Sequence, residues 1–220
     1  MAEKRQIIEV KTDGQPKRIV FVLLENFTLL CFSAAVESLR LANRMANRSL
    51  YEWRLIGEMG VLDGSAVQCS TGISFQLQGG LDELSRNDIV MICGGLDVQQ
   101  ATTTKLMNWM RRESRRGVQM GGLGTAAFTL AKAGLLDGRR ATIHWENQES
   151  FAEQFEKVEL TKSVFVMDGD RFTTAGGTAS IDLMLKIIAS EHGQDLANSV
   201  ADQLIYSSIR TDQDSQRLSI

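Results

Sequence analysis

The stretch GVQMGGLGTAAFTLAKAGLLDG, Gly117 to Gly138, reads as a short apolar strand, a glycine turn and then a helix. That is the layout of a nucleophile elbow, in which a strained turn lifts the tip residue, usually Ser or Cys, above a sheet. The tip here is Gly124. A side chain held at positive φ costs ~1–3 kcal/mol, most of which glycine avoids, so the turn can keep its shape without a nucleophile. What remains is the chemistry of backbone donors. The N–H of Thr125 at the helix start and that of Gly95 in CGGLD would stabilise an oxyanion in an enzyme. In this sequence they suit a carboxylate that is held and not turned over. The Gly94–Gly95 pair reads equally well as a simple turn of the chain.

Four more residues belong to this constellation: Glu25 in LLENF, and His144, Trp145 and Glu146 in HWE. They suit a cation at the far end of the ligand. A quaternary ammonium favours an aromatic face such as Trp145, worth ~0.5–2 kcal/mol, whereas a primary amine favours a carboxylate. Trp145 also reads as a core residue and His144 as a structural histidine. His144 and Glu146 fall on one face of an expected strand at i, i+2, but the second histidine, His192, belongs to a distant helix, so no metal site is expected. No cofactor is expected either. An enzyme would need another nucleophile, for which Cys31 and Cys93 are the candidates.

These residues need a scaffold. With 220 residues, 43% apolar and 23% charged, the chain suits one α/β domain with a full core. RIVFVLL and DIVMICGG are continuous apolar runs of strand length, as in parallel strands buried on both faces. YEWRLIG adds another strand. Helices are expected over 29–45, 102–116, about 146–155, after GGTAS, and from 194 to about 208. The segment 62–80 reads as a small hairpin, and VFVMDGDRFTTA as a second one with Asp-Gly at its turn. Alternating strands and helices give a helix-flanked, mainly parallel sheet of flavodoxin-like type with a small added hairpin. In such a sheet the turns LLENF, CGGLD, GGLGTAA and TIHWE converge beyond the carboxyl ends of the strands, where ligands bind.

Other features limit the function. A net charge of −3 gives no electrostatic footprint for nucleic acid. The three cysteines form no C-x-x-C pair, which points to a reducing, cytoplasmic setting, and no apolar run approaches the length of a membrane span. TAAFTLAKAGLLDGRRATIHWENQ superficially matches a helix-turn-helix, yet its would-be recognition helix contains Gly138 and the strand-like ATIHW. RRESRR, Arg111 to Arg116, reads as a solvated helix end. Residues 1–17 read as a flexible leader, 18–209 as a single domain, and 210–220, within IRTDQDSQRLSI, as a linker.

The elbow with LAKAGLLDGRRATIHWE, together with CGGLD, YEWRLIG, DGDRFTTAGGTASIDLMLKIIASEHG and ADQLIYSSIR, resembles the N-terminal sensor domain of AraC-family transcriptional regulators, of the PfpI-type class I glutamine amidotransferase-like superfamily. The resemblance spans about Arg18 to Arg217. It implies a domain that senses a small metabolite such as an amino acid, carnitine or glycine betaine. It further implies a homodimer and DNA binding only through a C-terminal helix-turn-helix domain lying beyond this sequence. The superfamily's enzymes carry Cys at the position of Gly124 and an acidic residue at that of Cys31, so the resemblance implies a catalytically inactive member. The alternative is a cysteine-dependent amidase, hydrolase or glyoxalase-like enzyme.

Overall fold

In Lys17–Leu23 (β1), Ile19, Phe21 and Leu23 enter one apolar cluster while Val20 and Val22 enter another. A strand buried on both faces must lie inside a sheet with helices on either side. The computed structural model, which describes residues 14–58 and 65–216, has that form. Along the chain follow α1 (Leu29–Met45), β2 (Tyr51–Ile56), β3 (Ala66–Gln68), β4 (Ser74–Gln76), β5 (Ile89–Cys93), α2 (Val98–Ala101) and α3 (Thr104–Arg115). Then come β6 (Gln119–Leu123), α4 (Ala127–Lys132), β7 (Arg140–Ala141), α5 (Gln148–Gln154), β8 (Glu159–Leu160), β9 (Phe165–Asp168), β10 (Arg171–Thr174), α6 (Ala179–His192) and α7 (Gln194–Gln203).

The main sheet has the order β2-β1-β5-β6-β10-β9, parallel except for β9, which returns antiparallel to β10 through a turn at Gly169 (φ 59°). Helices α1, α6 and α7 cover one face; α3, α4 and α5 cover the other. The expected hairpin after β2 is β3–β4, pairing Ala66 with Gln76, although residues 62–64 of it lie outside the described residues. So do residues 1–13 of the expected leader and 217–220 of the expected linker. Among the described residues no helix is long and apolar enough to cross a membrane.

Several expectations are corrected. The helix expected over 102–116 starts at Thr104, where the Thr103 hydroxyl caps Leu106 N, and is preceded by the separate turn of α2. The last helix stops at Gln203 and not near Ser208, because Ile205 takes a left-handed φ of 53° and Tyr206 N bonds back to Ala201 O. Of ATIHW only Ala141 is in a strand, the end of β7: Arg139 O and Ala141 O accept from Glu159 N and Thr161 N beside β8, but Ile143 O is taken by Gln216 Nε2 and the chain turns at His144 into a 3-10 turn. His144 and Glu146 therefore share no strand face. Residues 205–216, expected in part as linker, run back over the domain, with Val164 N donating to Asp214 O and Gln216 N to Lys162 O. RRESRR is more than a solvated helix end. Arg112 and Arg116 each hold the fully buried Glu113 at 2.7 Å, and Arg111 Nε donates to Ala133 O at the end of α4.

Candidate functional site

Gly124 sits where β6 gives way to a 3-10 turn (Gly124–Ala126) and then α4, with φ 67°. Its N–H donates to the Thr174 hydroxyl at 3.3 Å, which ties the tip to the end of β10. A Cβ placed on Gly124 would stand 3.1 Å from Gly94 O, 3.5 Å from Cys31 Sγ and 3.8 Å from Thr28 Oγ1. The space above the tip is thus walled by the end of β5 and the start of α1.

The paired glycines have a packing role. A Cβ on Gly95 would lie 1.8 Å from Asn26 O, and one on Gly94 would lie 2.8 Å from Ala126 N, so neither position admits a side chain. Gly94 O accepts from Thr28 N at 3.0 Å, and the Thr125 hydroxyl donates to Gly95 O at 2.6 Å. Three loops, after β1, β5 and β6, are thereby locked together at backbone distance.

Cys31 lies beside the tip. Its sulfur accepts from Gly177 N at 3.1 Å, and burial pushes its thiol above the ordinary range although that N–H pulls it back. A raised thiol is protonated at neutral pH and a poor nucleophile. Cys93, fully inside the sheet, is raised well above the ordinary value by burial and by Cys31. The sequence reading missed the loop that completes the site. A Cβ on Gly176 (φ 99°) would be 3.5 Å from Gly124 Cα, 3.7 Å from His144 Cδ2 and 3.9 Å from Cys31 Sγ. The signal was present in AGGTAS, whose two glycines both take positive φ.

His144 therefore does reach the crevice, with Nδ1 accepting from Glu146 N at 3.4 Å and its ring 5.5 Å from that of Trp145. Trp145 is 43% exposed, which corrects the core reading. Glu146 and Glu25 are largely exposed, Glu25 on the turn after β1. An acidic residue that sequence reasoning passed over, Asp97, accepts from Asn26 Nδ2 at 2.8 Å. With Leu96, Thr125, Phe128, Ile143 and Asn147 it lines a cleft of about 260 Å³ adjoining the elbow. Among the described residues no three His, Cys, Asp or Glu side chains group to hold a metal, and His192 packs instead edge-on against Tyr51. Around a tip with no side chain stand the Gly94 carbonyl, the Thr28 and Thr174 hydroxyls, the Cys31 thiol and the Gly176 backbone.

Comparison with known proteins identifies the family of the fold. The HTH-type transcriptional regulator CdhR of Pseudomonas aeruginosa is 44% identical over 200 residues, 91% of this chain and 58% of its own length. The HTH-type transcriptional regulator GbdR of the same species is 38% identical over 203 residues, 92% of this chain and 54% of its own. The chain thus spans a little over half the length of these curated relatives, which are transcriptional regulators. A solved structure of an AraC family transcriptional regulator from Pseudomonas putida superposes with a TM-score of 0.73 at 28% identity, covering 86% of this chain and all of that one. The DJ-1/PfpI family profile matches residues 17–190, and the mainly parallel, helix-flanked sheet with its elbow after β6 is the corresponding fold, so the chain belongs to the DJ-1/PfpI family.

Proposed function

We propose that this chain is the effector-sensing domain of an AraC-type transcription regulator, and that it binds a small carboxylate metabolite without turning it over. The observation that carries the reading is Gly124: the tip keeps the elbow's positive φ but presents no side chain, and its neighbour Cys31 is a buried, protonated thiol. The ligand carboxylate takes the N–H groups of Gly95 and Thr125 at the positive end of the elbow helix. Its other end extends toward Trp145, Glu146 and Glu25, with Asp97 in the adjoining cleft. A quaternary amine such as carnitine or glycine betaine stacks its cation on Trp145; an amino acid pairs its ammonium with a carboxylate. The names of the relatives support the regulatory role. In the whole protein, in the cytoplasm, the signal passes to a C-terminal helix-turn-helix domain, and a homodimer matches paired DNA half-sites.

A thermal-shift screen of amino acids, carnitine and glycine betaine tests this. A ligand at 100 times its Kd adds about 2.7 kcal/mol to stability. A shift from at least one carboxylate, absent with its amide or ester, is expected. A flat response across the panel overturns the reading.

A further inference from the structure

The segment after α7 pairs its backbone with residues 162–164, and two of its side-chain attachments adjoin the pocket. At the first, Arg210 Nη2 donates to Thr178 Oγ1 at 2.9 Å, while the Arg210 side chain and backbone N also hold the fully buried Asp182 at 2.7–3.0 Å. Tyr206 completes that knot, its hydroxyl donating to Asp182 Oδ2 at 2.9 Å. Thr178 directly follows Gly177, the residue that donates to Cys31 Sγ. At the second point, Gln216 Nε2 donates to Thr142 Oγ1 and Ile143 O, each at 2.9 Å. Ile143 directly precedes His144, whose ring edge faces Gly176. Between the two points a cleft of about 350 Å³ opens beside the strap, lined by α6, α7 and residues 209–212.

We propose that Arg210 and Gln216 are positioning residues for the pocket: they hold the Gly176–Thr178 loop and the Ile143–His144 wall closed over Cys31 and Gly124, so that strap docking and pocket closure form one linked equilibrium. Linkage is reciprocal, so a ligand that tightens the loop tightens the strap to the same degree, and a strap pulled away opens the pocket. The strap is also the segment through which a C-terminal domain would receive the signal. What fills the pocket rests on the function proposed above, but the mechanical link does not.

The test needs no ligand. Cys31 and Cys93 are both buried, but only Cys31 bonds to the Gly177 loop, whereas Cys93 is the last residue of β5 in the middle of the sheet. Methyl methanethiosulfonate labelling of the 220-residue chain, resolved by peptide mass spectrometry, compares the parent with Arg210→Met, Arg210→Lys and Gln216→Leu. The expected result is labelling of Cys31 at least tenfold faster in Arg210→Met and Gln216→Leu with Cys93 unchanged, and an intermediate rate in Arg210→Lys, which keeps the positive charge beside Asp182. An unchanged Cys31 rate, or Cys31 and Cys93 rising together, overturns the proposal. If Arg210→Met does not fold, Gln216→Leu and Thr178→Val, neither of which strands a buried charge, decide by the same criterion. A positive result here beside a flat ligand screen would sink the ligand reading alone.

Discussion

Replacing Gly124 with alanine separates the two physical demands on the elbow tip. Gly124 has φ 67°, and an L side chain in that region costs about 1 kcal/mol relative to glycine. The new Cβ would also meet Gly94 O at 3.1 Å, and that carbonyl is fixed by Thr28 N, so the neighbour yields only by moving a locked loop. Crowding of this kind adds about 1 kcal/mol, giving a loss of about 2 kcal/mol in all. For a domain of this size that lowers Tm by roughly 4–8 °C. Gly134 supplies the control: its φ is 72°, nearly the same, but nothing lies within 4 Å of its Cβ position. Gly134→Ala therefore carries the conformational cost alone, about 1 kcal/mol. Urea unfolding of both variants, with m unchanged, measures the difference. Equal losses for the two variants would refute the argument that the tip is closed in by Gly94 and Cys31.

Other substitutions and pH changes have expected outcomes of their own. Glu113→Ala removes the acceptor of Arg112, Arg116 and the Leu84 amide; both arginines can turn to solvent, so the loss is about 2 kcal/mol, and Glu113→Gln, which can keep the Leu84 bond, should lose less in the same urea titration. His192 has its pKa lowered by burial, partly offset by Glu191 and reinforced by Arg48, so the unfolded chain binds the proton first. Stability should fall as pH drops through the ordinary histidine value of 6.5, and His192→Phe should flatten that limb of the pH-stability curve; a parent curve already flat there would contradict the burial argument.

Much of the scaffold was legible because parallel strands buried on both faces leave continuous apolar runs. β1 and β5 are such runs, and α1 was bounded correctly at Leu29 and Met45 by its apolar stripe and the polar residues after it. The elbow was legible because a strand, glycines and a helix in that order have few other uses. Features governed by distant partners could not be read. Past the end of β7, Ile143 O is taken by the side chain of Gln216, and the course of residues 205–216 follows a buried Asp182 many residues earlier. The Gly176–Gly177 loop meets Cys31 across 146 residues of chain, and no local pattern records that meeting. Asp97 was visible in CGGLD, but only the folded loop places it on the cleft beside Thr125.

In the proposed function a small carboxylate is held at the elbow and left intact. Calorimetric titration of the chain with the carboxylate found by screening, run in parallel on Gly124→Leu and followed by mass spectrometry of the recovered ligand, tests it most directly. One site per chain is expected, with ligand recovered unchanged and affinity weakened at least tenfold in Gly124→Leu while the variant still unfolds cooperatively. Unchanged affinity in Gly124→Leu, or a product whose formation is abolished by Cys31→Ser or Cys93→Ser, would contradict it.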